Sequence, residues 1–208
     1  MPISARMKFI HRAGAGTLRM ASLTAGAFCR PADRERLKKV WADLGCPFVN
    51  PRFSTLPLDR IIDPVPEIVL CHPAQQPWQA TTADVIAIVS LARATSCRAI
   101  FEFGTFDGRT TLNLARNCPD ARITTFNLPP DEVELPGGKQ VGELIRDQTR
   151  DGRIEQRFGN SLEHDFEPHR GEYDFVFIDG GHAYECVARD SRSAMILTEG
   201  RPATIVWH

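Results

Sequence analysis

No stretch of this 208-residue sequence approaches the ~18 consecutive apolar residues of a membrane-spanning helix, so no membrane partner is expected. Cys-x-x-Cys pairs are absent as well. The six cysteines (Cys29, Cys46, Cys71, Cys97, Cys118 and Cys186) are scattered, which argues against a zinc ribbon or a disulfide framework. A chain this long buries a core without such staples, and reduced thiols fit a cytoplasmic protein. Net charge is missing too: 25 Lys and Arg stand against 26 Asp and Glu, leaving −1 and no field to steer the chain onto nucleic acid. Among the six histidines there is no His-x-x-x-His spacing, which removes the usual helical zinc pair.

What is present is an ordinary globular balance, 42% hydrophobic and 25% charged, spread unevenly. Residues 1–30 carry Arg6, Lys8, Arg12, Arg19 and Arg30 and no acid. Arg19 interrupts the apolar run that a secretory signal requires, and although an organelle transit sequence shares this composition, the segment reads as a weakly ordered basic arm. Residues 31–80 form a helical and proline-rich extension. Leu37, Val40, Trp41 and Leu44 recur at helical spacing over 33–44. Seven prolines between 46 and 80 then forbid long regular elements, leaving room for a short strand at Glu67–Cys71.

The domain proper is expected over 81–208. Thr81-Thr-Ala-Asp84 is a capping box ahead of Val85, Ile88, Val89 and Ala92. Strands are predicted at 99–103, 123–126, 154–158, 175–178 and 204–207, and helices at 110–117, 140–149 and 184–197. Short apolar strands alternating with amphipathic helices specify an α/β fold with a parallel sheet covered on both faces. Trp41 and Trp207 sit in apolar contexts and read as core, whereas Trp78 lies among Gln and Pro.

The most informative stretch is Phe101-Glu-Phe-Gly-Thr-Phe-Asp-Gly-Arg-Thr-Thr111, a strand ending in an acid, a two-glycine turn and a helix start. In an open α/β sheet ligands bind beyond the carboxyl ends of the strands, where glycine allows close approach. A dinucleotide pyrophosphate would be repelled by Glu102 if that side chain points inward, and Phe106 occupies the place of a middle glycine. A carboxylate there suits a ligand with an ammonium group, and the helix start suits a carboxylate.

Glu102-x-Gly104-Thr105-x-x-Gly108-x-Thr110 resembles the first motif of class I S-adenosylmethionine-dependent methyltransferases, in the Glu-x-Gly-Thr variant of O-methyltransferases. Residues 173–184 resemble the fourth strand and following loop of those families, and residues 199–208 their fifth-strand region. The resemblance spans about 81–208. It implies a doubly wound, mostly parallel Rossmann-like sheet, here expected to be cut short after the fifth strand. It also implies S-adenosylmethionine as cofactor, with Glu102, Gly104, Thr105, Gly108 and Thr110 around its methionine part. Asn127 then falls at the ribose, Asn160 and Ser161 at the adenine edge, and Asp179 beside the cofactor. In the catechol-type branch the acid matching Asp179 ligates a divalent metal, which would be Mg²⁺, and His182 occupies the position of a base that deprotonates the acceptor hydroxyl.

The reading is methyl transfer to an oxygen of a small molecule such as a sugar or natural product. Turnover is expected to be weakened by the incomplete sheet. The rival readings are a non-catalytic Rossmann-like binding module, favoured by the amides at Asn127 and Asn160, and a nicotinamide-dependent oxidoreductase, which Glu102 and the missing third glycine oppose. A fifth strand at the sheet edge would leave Ile205, Val206 and Trp207 poorly covered, so a homo-oligomer through that edge is a further expectation.

Overall fold

β1 (Ala99–Phe103) is buried along its whole length because it lies at the centre of a five-stranded sheet ordered β3-β2-β1-β4-β5. The computed structural model describes residues 30, 56–73 and 79–208. β1 pairs in parallel with β2 (Arg122–Asn127) and with β4 (Phe175–Ile178). β3 (Ile154–Phe158) and β5 (Thr204–Trp207) extend the sheet outward, also in parallel. The strand order reverses between β1 and β4, where an open α/β sheet leaves a crevice at its carboxyl edge.

Side-chain alternation along β1 divides the core. Ile100 points to the face that packs, with Ile123, Ile154, Phe175 and Phe177, under α1 (Thr82–Ala94) and α2 (Arg109–Asn117). Phe101 and Phe103 point to the other face, against Phe126, Phe166, Tyr173 and Leu197 of α3 (Tyr184–Leu197). Helices therefore cover both faces, as a doubly wound sheet requires. The capping box is formed: Thr81 Oγ1 accepts the Asp84 N–H at 3.1 Å, and the Thr81 N–H donates to Asp84 Oδ2 at 3.1 Å.

Several elements differ from the sequence expectation. Residues 140–149 make successive turns rather than an α-helix. The N–H groups of Gly142 and Leu144 donate to the carbonyls of Phe106 and Asp107 (2.8 and 2.9 Å), and Gly142 adopts φ +69, so a continuous helical ladder is not available. Residues 67–71 are not a strand. Asn117 Oδ1 accepts the Val69 N–H (2.7 Å) while its Nδ2 donates to the Val69 carbonyl (2.8 Å), and Asn113 treats Cys71 the same way (2.7 and 3.0 Å). Two side-chain amides thus replace a neighbouring strand. Buried Arg109 adds donors to the carbonyls of His72 and Ala80 (both 2.8 Å). One compact unit spans Pro57–His208. Trp207 is half-exposed, its Nε1–H donating to Ser191 Oγ at 2.9 Å, because among the described residues β5 has a neighbouring strand on one side only. The arm residues 1–29, the helix expected over 33–44 with Trp41, and Trp78 lie outside the described residues.

No helix among the described residues is long and apolar enough to cross a membrane. Asn117→Ala removes both partners of the Val69 backbone, and we expect a loss of about 1–2 kcal/mol. A lowered urea midpoint at unchanged slope would measure it, and an unaltered midpoint would contradict the pairing role.

Candidate functional site

Three strand ends meet at one glycine. Gly104 follows β1 with φ +91, its N–H donating to the Phe126 carbonyl at 2.8 Å, while the Asp179 N–H donates to the Phe103 carbonyl at 2.9 Å. A Cβ at Gly104 would lie 2.0 Å from the Asp179 carbonyl oxygen, so no side chain fits. The turn ends at Gly108, also in the left-handed region (φ +90), where a Cβ would press on Ile145 at 3.1 Å before α2 begins. Between them the Thr105 and Thr125 hydroxyls share a hydrogen bond of 2.7 Å.

Beside this turn lies a cavity of about 790 Å³. Of the residues expected at the site, Gly104, Asn127, Asn160, Ser161, Asp179 and His182 line it together. Glu102, Thr105, Gly108 and Thr110 are not in its wall. Phe103, Phe106, Phe126, Leu128, Leu135 and Leu162 supply apolar surface, while Glu132 and Glu134, in the loop read from sequence as merely solvated, bring two more carboxylates. Lys and Arg are absent from the described lining. The amide oxygen of Asn127, expected to accept from a ribose hydroxyl, already accepts the Thr105 N–H (3.0 Å) and leans on that of Phe106 (3.4 Å). Its role in the fold is to hold the glycine turn. Asn160 Oδ1 likewise accepts the Leu162 N–H at 3.1 Å.

Glu102 turns away from the cavity, toward α2. Thr111 Oγ1 donates to its Oε2, its Oε1 has no partner among the described residues, and it is fully buried. Burial pushes its carboxyl up to about 7, opposed by the Thr111 and Thr125 hydroxyls and reinforced by the negative charge of Asp179. A second buried acid escaped sequence reasoning. Asp190, on α3, lies 3.0 Å from where a Gly180 Cβ would be, and neither carboxylate oxygen has a partner among the described residues. Burial raises its proton affinity too, against the Ser161 hydroxyl and the Arg189 charge. Its only sequence signal is an acid on the apolar face of a helix.

Asp179 meets partners that no local spacing announces. His208 Nδ1 lies 2.9 Å from Asp179 Oδ1 and its Nε2 lies 3.4 Å from Asp84 Oδ2, so the imidazole bridges two carboxylates. That clamp, chiefly through Asp179, pushes His208 up to about 10 and holds Asp84 below the usual carboxylate range. His182 is exposed, with Nε2 3.9 Å from Asp179 Oδ1. Asp179, His182 and His208 can each offer one ligand atom within 4.8 Å of the others. One carboxylate with two imidazoles does not fit Mg²⁺, which demands oxygen donors in near-octahedral geometry. The Mg²⁺ expectation is therefore not supported by the donor set.

For Glu102 the folded value near 7 exceeds the ordinary 4.5, so its contribution is complete below about pH 4.5 and is lost as pH rises through 7. Relative to Glu102→Gln, the protein should lose about 3 kcal/mol across that window. Urea midpoints of both proteins at pH 4.5 and 8 measure this, and a pH-independent difference would contradict it. Gly104→Ala should cost at least about 3 kcal/mol, from left-handed strain and the clash with Asp179. A melting temperature within a degree of the parent would refute that close approach.

A family profile described as a methyltransferase domain matches residues 101–208. Comparison with curated protein sequences gives no significant match. Among solved structures, cofactor-bound Rv0187 from MTB is 27% identical with a TM-score of 0.49, over 63% of this chain and 57% of that one. The O-methyltransferase TomG from Streptomyces achromogenes, in complex with SAM, is 22% identical with a TM-score of 0.44, over 62% and 56%. SAH-bound methyltransferase PaMTH1 from Podospora anserina is 18% identical with a TM-score of 0.42, over 57% and 50%. The chain thus spans about half the length of these proteins. With the profile covering half of the sequence and running through the glycine turn, the cavity wall and the last strand, the chain belongs to the methyltransferase-domain family.

Proposed function

We propose that this domain binds S-adenosylmethionine in the 790 Å³ cavity and methylates an oxygen of a small-molecule acceptor, such as a sugar or natural product. The observation that carries the reading is the wall itself: a glycine-floored cavity at the sheet's carboxyl edge, with Glu132, Glu134 and Asp179 and with no described Lys or Arg. Such a surface favours a cationic ligand and disfavours the pyrophosphate of a nicotinamide cofactor. When bound, S-adenosylmethionine supplies an electrophilic methyl group on a positively charged sulfur.

The chain's own residues divide the remaining work. Gly104 lets the backbone approach the ligand closely, and the Phe126 and Leu128 side chains exclude water from one wall. Asn160 and Ser161 lie where the resemblance implies the adenine edge. Glu102 is a positioning residue, holding Thr111 of α2 and the floor of the turn from beneath. His182, exposed at the cavity mouth, takes the proton of the acceptor hydroxyl at an imidazole nitrogen. Asp179 lies close enough to orient that ring. The engaged amide of Asn127 favours a second reading, a module that binds the cofactor without turnover.

Calorimetry with S-adenosylmethionine and its demethylated product should give saturable heat, and absence of heat at millimolar ligand would overturn the assignment. Methyl transfer to a panel of hydroxylated acceptors separates enzyme from binding module. His182→Gln should lower turnover by about 10²-fold or more while leaving cofactor affinity unchanged. Equal turnover in both proteins would remove His182 from the chemistry.

A further inference from the structure

At the amino-terminal edge of the sheet, opposite the cofactor cavity, a second cavity of about 350 Å³ opens between the connections that enter β1 and β2. Cys97 and Cys118 both line it. Cys97 stands two residues before β1, and Cys118 caps α2 ahead of β2. Because β1 and β2 are parallel neighbours with Ala99 opposite Arg122, these two segments enter the sheet side by side. They are tied by the Arg122 N–H donating to the Arg98 carbonyl at 3.0 Å. Both cysteines are free and buried, reachable through the cavity.

The two thiols are not equivalent. The neighbouring Cys118 thiol and burial push the Cys97 thiol up, while the Cys97 thiol and nearby guanidinium charges draw Cys118 down. The guanidinium groups of Arg93 and Arg153 face Cys118, and Arg153 Nη1 donates to the carbonyls of Ala115 (2.9 Å) and Cys118 (3.3 Å). Asp174 faces Cys97 instead and opposes its ionisation. Arg98, also in the wall, is paired with Asp120 at 3.5 Å. A thiol flanked by cationic guanidinium groups, with a second thiol lining the same cavity, is the arrangement of an attacking and a resolving cysteine.

We propose that Cys97 and Cys118 form an oxidative modification site, at which a hydroperoxide entering the amino-terminal cavity oxidises Cys118 and Cys97 then closes a disulfide. In the first step the Cys118 sulfur attacks the peroxide oxygen, the O–O bond breaks, and the leaving oxygen departs with a proton, leaving a sulfenic acid. In the second the Cys97 sulfur attacks that sulfenic sulfur, the S–O bond breaks and water leaves. Two sulfurs together give up two electrons, and the peroxide takes both. The product ties the start of β1 to the start of β2, while the cofactor cavity lies at the far ends of the same strands.

The full-length protein is treated with a few equivalents of hydrogen peroxide and mapped as peptides without reduction. We expect a Cys97–Cys118 cross-linked peptide lighter by two hydrogens and reversed by dithiothreitol. With dimedone present, Cys97→Ser should trap an adduct on Cys118, whereas Cys118→Ser should label Cys97 about tenfold more slowly or not at all. Circular dichroism checks both variants, and Ala replaces Ser if either loses the native spectrum. Oxidation confined to Cys71 and Cys186, a different pairing, or equal labelling of Cys97 and Cys118 would each overturn the proposal. The mapping of the unmutated protein decides the pairing even if every variant misfolds.

Discussion

The approach of the Gly104 backbone to the carbonyl of Asp179 is the constraint on which the cavity depends. It lets the ends of β1 and β4 close to a separation that no side chain tolerates, and it directs the turn back toward α2. Asn127 secures the same turn from β2 by accepting the Thr105 N–H. Three adjacent strands therefore share one fixed edge, and the cavity is the space left beyond it.

Beneath that edge the protein has placed acids rather than hydrocarbon. Glu102 and Asp190 are both buried, each with carboxylate oxygen unmatched among the described residues, and Asp179 adds charge at the surface of the same cavity. Burying such groups is costly without a partner, and a raised proton affinity is the usual relief. Glu132, Glu134 and Asp179 around the opening, without described Lys or Arg in the wall, are the charges that support the proposed cationic ligand. The same charge explains why His208 is held so firmly between Asp179 and Asp84.

The segment ahead of α1 joins the domain by polar rather than apolar means. Asn113, Asn117 and Arg109 all project from α2, and together they satisfy backbone groups at Val69, Cys71, His72 and Ala80. Prolines at 64, 66 and 73 deny this stretch a regular strand, so the helix supplies the partners that a strand would have found in a sheet.

The sequence by itself determined the alternation of strands and helices. Periodicity is local: the strands at 154–158, 175–178 and 204–207 and the helix at 184–197 follow from apolar spacing and stop signals alone. The glycine turn was legible for the same reason, since only glycine supports its left-handed backbone and close approach. What only the tertiary structure decided are contacts between residues distant in the chain. Folding placed His208 on Asp179, left Glu102 facing α2 instead of the cavity, and gave the amide of Asn127 to Thr105. It also broke the expected helix at 140–149 by pairing its N–H groups with the loop at 106–107. A side chain's direction across a sheet, and the partner waiting there, depend on register and packing, which no window of neighbouring residues contains.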